Sequence, residues 1–293
     1  MRTTRMREDF AALILSHGRP RDVMTMQFLR SGGYTGKAYI VIDDEDPTAD
    51  EYREEHGEDT VIQFCKAEAA ATFDLMDNRG DRRTVAFARN ASWGIARSLG
   101  LRYFIQLDDD YFNFSYRTTG KRDGETDSYH QWTIRSLDAV FTALVDFLDE
   151  SQALTVCFSQ GGDHVGGIQS ANRDTRLLRK AMNSFVCDVD RPFAFPGRIN
   201  EDVNAYVGHG ARGALLFTHT DLQLQQVASQ KTGGGMTGLY LDGGTYLKSM
   251  YTVMQNPSCV QVRTIGDTSR RLHHHVSWRH AVPRIVPERL RRG

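Results

Sequence analysis

The sequence predicts an α/β fold whose central sheet is mainly parallel and flanked by helices. Three observations predict it. Short apolar runs alternate with helical patterns over the first 110 residues, which suits a parallel sheet covered by helices. Three of those runs end in polar clusters, "SHGRP", "DDED" and "DDD", and ligands of open α/β sheets collect beyond the carboxyl ends of strands. The chain has 293 residues, 40% hydrophobic and 25% charged, enough for one large α/β domain spanning 1–293. No repeat or low-complexity segment divides it.

Each element follows from its local pattern. "FAALILSHGRP" (10–20) reads as a buried strand entering a loop at Gly18 and Pro20, and "DVMTMQFLR" (22–30) as a helix ended by "SGGYTG". "KAYIVIDDED" (37–46) is a β-branched strand, followed by a polar helical stretch and a third strand, "TVIQFC" (60–65). In 84–100, Val85, Ala88, Ser92, Ala96 and Leu99 fall near helical spacing, with Gly100 as the stop. "RYFIQL" then delivers the acids. The second half is more mixed. Leu137, Val140, Phe141, Leu144, Val145 and Leu148 share one face of a helix over 136–150. Strands are expected at 153–159, 184–189, 213–219 and 259–265, and glycine-rich loops at 160–167 and 231–238.

A net charge of −1 excludes a uniformly basic nucleic-acid coat. Basic clusters nonetheless occur at the N-terminus, 79–83, 173–180 and 284–293, and each suits a phosphate-binding face or a solvated surface equally. Four scattered cysteines without a CxxC pair read as reduced thiols. No apolar run approaches the roughly 20 residues of a membrane span, and the first ten residues lack the apolar core of a secretory signal. These features lead us to expect a cytoplasmic protein with no membrane partner.

The central question is why "LRYFIQLDDDYFNF" (101–114) gathers Asp108, Asp109 and Asp110 behind an apolar run. Either the triplet is a solvated strand end, or a cation makes the repulsion useful. The helix "ARNASWGIARSLG" followed by a strand and "LDDD" resembles the nucleotide-binding half of GT-A glycosyltransferases, over about residues 10–112. The remainder, about 113–293, resembles them only in outline and would hold the acceptor. The resemblance implies that the acids hold a divalent cation against the diphosphate of a nucleotide sugar, with Asp108 and Asp110 matching the DxD pattern. It also implies that Arg89 faces the diphosphate, that Asn90 helps order the pocket, and that Asp43 or Asp44 meets the uridine. A hard cation with oxygen ligands, Mn²⁺ or Mg²⁺, would neutralise charge on the departing diphosphate. His17 and Arg19, at the first strand end, could contact the base or phosphates, or belong to a turn held by Gly18 and Pro20.

Glu201-Asp202, in "RINEDVNAYVGHGARG" (198–213), resembles the acidic pair that supplies the general base of inverting GT-A enzymes. Asp202 is the preferred base. The structural alternative is ordinary: Asn200 is a good N-cap, and acids suit the first turn of a helix. In "RRLHHHVSWRH" (270–280), the resemblance implies a C-terminal metal or diphosphate ligand from His273, His274 or His275. Alternation along an extended segment would send His273 and His275 the same way.

The motif order, "SHGRP", the Ala-Arg-Asn helix, "IQLDDDYFNFSYR" and "HHHVSWRHAVPRI", is most similar to the glycosyltransferases associated with TET/JBP oxygenases. That group occurs in bacteriophages, kinetoplastids and some eukaryotes; for a phage-encoded protein the compartment would be the host cytoplasm. The similarity implies a UDP-sugar donor and a 5-hydroxymethylpyrimidine in DNA, above all 5-hydroxymethylcytosine, as acceptor. Such an acceptor lies in the major groove, where partial or full extrusion of its base could bring it to the sugar, and its flanking phosphates must be gripped. Arg82, Arg83, Arg176, Arg179 and Arg279 are candidates for that grip. Tyr111, Phe112, Phe114 and Tyr116 could stack on a base, although such alternation is commoner in plain core. The glycine-rich loop at 231–238 could close over the donor.

Three rivals remain at this level. A GT-A enzyme could act on protein or polysaccharide. A nucleotidyltransferase would share the acids and cation, but "SHGRPRD" is a poor phosphate loop for one. A catalytically silent DNA-binding module would bind without turnover.

Overall fold

The structure is a computed structural model describing residues 5–78, 80–120, 128–164, 180–227, 237–265 and 270–281. The first half runs β1 (Phe10–Leu15), α1 (Met24–Ser31), β2 (Lys37–Asp43), α2 (Ala49–His56), β3 (Val61–Phe64), α3 (Lys66–Ala70), α4 (Ala86–Ser98) and β4 (Tyr103–Asp108). The second half continues β5 (Tyr111–Gly120), β6 (Ser128–Thr133), α5 (Leu137–Ser151), β7 (Thr155–Ser159), β8 (Ser184–Asp188), α6 (Glu201–Ala211) and β9 (Leu216–Gln226). It closes with α7 (Thr237–Gln255), β10 (Val260–Ile265), β11 (Arg271–Val276) and α8 (Trp278–Ala281).

Nine strands form one sheet in the order β3-β2-β1-β4-β8-β7-β9-β5-β6, and β10 and β11 form a separate antiparallel pair. Strands β3, β2, β1 and β4 are parallel throughout. Beyond β4 the pairing is antiparallel except between β7 and β9. The parallel reading therefore describes the first half. The chain enters at β1, steps outward to β2 and β3, and returns to β4 on the other side of β1. That reversal puts a crevice between the carboxyl ends of β1 and β4.

The core explains the strand composition. β1 is buried along its whole length, so its sequence is continuously apolar rather than alternating. On one face Phe10, Ala12 and Ile14 pack with Leu29 of α1 and with Leu137 and Phe141 of α5. On the other, Ala11, Leu13 and Leu15 pack with Ala88 and Trp93 of α4 and Val203 of α6. Helices thus cover both faces, and β2 and β4 pair with both sides of β1, which leaves its carboxyl end as the place where a ligand can approach among the described residues. Among the described residues, no helix is long and apolar enough to cross a membrane.

Several expectations shift in detail. The alternating aromatics after the acids belong to β5, and Tyr111 and Phe114 are core side chains at 0% and 2% exposure. The predicted strand at 213–219 begins at Leu216 and extends to Gln226. Residues 237 and 238 open α7 instead of closing a loop; residues 231–236, like 165–179 and 282–293, lie outside the described residues.

Candidate active site

At the mouth between β1 and β4 the three aspartates have three different environments. Asp109 turns inward. It accepts hydrogen bonds from Ser16 Oγ and, at 2.7 Å, from Arg19 Nη2, and is 1% exposed. Burial pushes its pKa up to about 6 against the pull of Arg19 and Ser16. Tyr52 completes this knot: its hydroxyl lies 2.6 Å from Ser16 Oγ and accepts from the Arg19 backbone N–H at 2.9 Å. Gly18, at φ +68°, makes the turn that lets its own N–H reach Asp46 Oδ2 at 2.8 Å.

Asp108 faces the other way and accepts from Arg89 Nη2 at 2.9 Å. Thr25 secures the backbone, donating from Oγ1 to the Asp108 carbonyl and accepting from the Tyr111 N–H. Asp110 has an oxygen, Oδ1, that is buried and lacks a hydrogen-bond donor among the described residues. Burial, then the charges of Asp108 and Asp109, push its pKa up to about 7. An unpartnered hard oxygen in a cluster of like charges is the donor chemistry a divalent cation requires. The donor chemistry of Asp110, beside the Asp108 carboxylate, suits such an ion.

The end of β2 supplies the second group. Asp43 Oδ2 lies 2.9 Å from His17 Nδ1, and Asp43 Oδ1 accepts from Lys66 Nζ at 3.1 Å. Burial alone would raise the Asp43 pKa, but His17 and Lys66 hold it below the usual carboxylate value. The same contact raises His17. Asp44 is exposed and accepts from the Lys66 backbone N–H at 2.8 Å, which lowers its pKa and fastens the start of α3. His17, Asp43 and the β1–β4 mouth are thus contiguous through residues 16–19.

Arg89 joins this mouth to Glu201. Its guanidinium is 1% exposed, donating from Nε to Glu201 Oε1 at 3.0 Å and from Nη2 to Asp108. It lies 5.1 Å from the Phe185 ring centroid and 5.8 Å from that of Phe195. Nη1 is buried with no partner among the described residues. Burial raises the pKa of Glu201 to about 7, reinforced by Asp202 and opposed by Arg89. Burial also raises Asp202, whose Oδ1 accepts from the Val203 N–H at 2.7 Å. Carboxylates with raised pKa values are better proton acceptors near neutrality.

The helix carrying the pair is held by side chains the sequence left ambiguous. Asn90 donates to the Ala86 and Phe195 carbonyls and accepts from the Phe195 N–H, so it orders the segment entering α6. Gly197, at φ +88°, packs where an added Cβ would stand 2.5 Å from Asn204 Nδ2. Asn200 adopts a left-handed conformation but makes no side-chain cap. Its amide instead donates to the Lys248 carbonyl at 2.7 Å, and lies 3.4 Å from His274 Nδ1. Asn200 stands at the N-cap position of α6 as expected, but without a side-chain cap: α7 and β11 have claimed its amide.

Other expected residues are dispersed. Among the described residues no three His, Cys, Asp or Glu side chains gather so as to hold a metal ion. His273 and His275 therefore do not join Asp108 and Asp110 in such a group. β11 pairs with β10 outside the main sheet, the His273 ring packs on His274 at 4.1 Å, and His275 is exposed. Arg82 pairs with Glu45 and Arg83 with Asp81. Arg279 is exposed on α8, and Arg176 and Arg179 lie outside the described residues. All four cysteines are free thiols. Sequence reasoning missed Ser16, Tyr52, Lys66 and Lys248. It also missed Arg198, which is 1% exposed and donates to Asp77, Asp81 and the Tyr251 hydroxyl. Only a buried-charge pattern across distant segments could have signalled them.

A switch-point crevice lined by strand-end acids, with an arginine tying them to an acidic helix start, defines a GT-A-like fold of the nucleotide-sugar transferase class. The model of the TET-associated glycosyltransferase family matches residues 10–235, and the chain belongs to that family. It is a glycosyltransferase. No curated protein matches the sequence. Among solved structures it is similar to glucosyl-3-phosphoglycerate synthase from Mycobacterium tuberculosis in complex with Mg²⁺ and UDP, at 11% identity and TM-score 0.43, covering 91% of this chain and 86% of that one. The same enzyme with Mn²⁺ and UDP-glucose matches at 10% identity and TM-score 0.44, covering 92% and 90%.

Proposed function

We propose that this glycosyltransferase moves a sugar from a UDP-sugar to the hydroxyl of a 5-hydroxymethylpyrimidine in DNA, above all 5-hydroxymethylcytosine, with inversion. One observation supports the reading above the rest: the Arg89 guanidinium bridges Asp108 and Glu201, which ties the acidic start of α6 to the end of β4. The DNA acceptor rests on the family's association with TET oxygenases, which generate hydroxymethylated bases.

The residues divide the work by their chemistry. Asp43 takes donors of the uridine, because a carboxylate held ionised is an acceptor-only group. Asp108 and Asp110 would hold Mn²⁺ or Mg²⁺, which supplies Lewis-acid neutralisation of the diphosphate. Asp202 accepts the proton of the acceptor hydroxyl as its oxygen bonds to the anomeric carbon. The bond from that carbon to the diphosphate oxygen breaks with its electron pair, and UDP departs. Arg89 keeps Glu201 and Asp108 apart in charge and fixed in position. Asn90 sets the approach of α6.

The test is mass spectrometry of hydroxymethylated DNA incubated with the protein, Mn²⁺ and a panel of nucleotide sugars. A hexose added only to hydroxymethylated strands is the expected result. Transfer to protein or polysaccharide acceptors, with DNA untouched, would refute the acceptor. An α-linked product from an α-linked donor would refute inversion.

A further inference from the structure

The same end of the sheet continues past the acids into a group of uncharged amides. The Asp110 carbonyl accepts from the Val227 N–H at 3.2 Å, which fastens the end of β9 beside the triplet. There Asn113 of β5 donates to Gln225 at 3.0 Å, while Asn183 and Gln160 donate to Gln226 at 3.1 and 3.3 Å. Each of these side chains engages one function of its amide among the described residues and leaves the other over. Such a set offers mixed donors and acceptors without charge, which suits the edge of a nucleobase better than a phosphate.

A cation lies farther along the same face. Asn113 and Arg117 are four residues apart on β5, so they point the same way at roughly 13 Å separation. Arg117 lies 4.0 Å over the Tyr129 ring and donates from Nη1 to Gln223 at 2.8 Å. Its Nε is buried with no partner, and among the described residues no carboxylate pairs with it. Burial without an acid lowers its pKa. The buried arginines Arg89 and Arg198, by contrast, are matched to acids, whereas Arg117 is only half-buried. The Arg117 charge is thus left without an acid to neutralise it among the described residues.

We propose that Asn113 and Gln225, a cross-strand pair on one face, form the subsite for the base bearing the acceptor hydroxyl, and that Arg117 holds a phosphate of the same strand. This rests on the DNA reading above. The test uses the full chain with Mn²⁺, the donor found in the panel, and a single-stranded oligonucleotide carrying 5-hydroxymethylcytosine. Gln225→Ala and Gln225→Glu should each raise the acceptor KM at least about 10-fold, with donor KM within twofold. Arg117→Gln should raise acceptor KM about fivefold at low salt and lower the salt slope by about 0.7, the share of one phosphate on a single strand. Either folded β9 variant suffices, as judged by its thermal melt. An acceptor KM within twofold of the unaltered protein, with the salt slope unchanged, overturns the proposal alone. Donor KM rising in step with acceptor KM also overturns it, by placing the amides in the donor pocket. If the unaltered protein transfers to no DNA, both this proposal and the DNA reading fall.

Discussion

Replacing Arg89 with methionine tests how the site is held together. The substitution keeps an unbranched side chain of similar reach but removes the charge shared by Asp108 and Glu201. Removing one partner of a buried ion pair costs about 3–5 kcal/mol, because the other charge stays buried and uncompensated. At roughly 2.1 cal/mol/K per residue, a chain of 293 residues has an unfolding entropy of about 0.6 kcal/mol/K. The loss should therefore lower the melting temperature by about 5–8 °C at pH 8.5. The pH dependence gives the sharper test. Glu201 is raised in the folded state from 4.5 to about 7, so it contributes stability at low pH that is lost as pH rises through about 7. Arg89 limits that loss by pulling the pKa down. Without it Glu201 and Asp202 move higher still, and the deficit grows with pH. At pH 5.5, where Glu201 carries its proton in both proteins, the deficit should shrink to about 1–2 kcal/mol, the scale of lost hydrogen bonds. Calorimetric melts of both proteins at the two pH values measure this. A deficit equal at both, or below about 1 kcal/mol at pH 8.5, would show that Arg89 does not neutralise the acidic pair.

Asp110→Asn keeps shape but replaces the unpartnered oxygen; transfer should fall about 100-fold, close to 2.7 kcal/mol, while the melting temperature does not fall. A decrease under threefold in a metal-dependent assay would remove Asp110 from the cation site. Asp43→Asn should weaken UDP binding about 10-fold, or 1.4 kcal/mol, by titration calorimetry, since both Asp43 oxygens are ordered by His17 and Lys66; an unchanged Kd would place the uridine elsewhere. Asn90→Ala strands the N–H and carbonyl of Phe195, which is 0% exposed. It should cost about 2–3 kcal/mol and lower kcat more than donor affinity, because the segment entering α6 loses its anchor; equal loss of both would mean that Asn90 serves the donor pocket directly.

What could be read in the sequence was what depends on near neighbours. The burial of β1 on both faces shows as an unbroken apolar run, and the face of α5 shows as periodic leucine, valine and phenylalanine. Strand ends are equally local, so Asp43 and Asp108–Asp110 stood out before any geometry was known. Pairings across the chain did not. Glu201 meets Arg89 at a sequence separation of 112, and nothing near either residue names the other. The start of α7 was hidden because glycines at 233–235 and 238 read as loop, although packing against β10 and β11 fixes the helix. The histidine run shows the same limit at smaller scale. Alternation along β11 was legible, but the sheet it would join was not, and that decides whether a histidine approaches the acids.

The triplet itself resolves into a division of labour that only the fold could assign. One strand end and one turn send three adjacent carboxylates in three directions, so their mutual repulsion is met by different partners. Asp109 is spent on Ser16 and Arg19 and ties β4 to the loop after β1. Asp108 gives one oxygen to Arg89, which ties the same end to α6 through Glu201. Asp110 keeps a buried oxygen with no donor among the described residues. Two acids thus hold rigid the backbone from which the third projects, and rigidity is what a cation site needs if its geometry is to precede its ion. An isolated aspartate at this position would be free to turn toward water. Flanked by two anchored neighbours that raise its proton affinity, Asp110 has a buried oxygen left for a proton or a cation to satisfy.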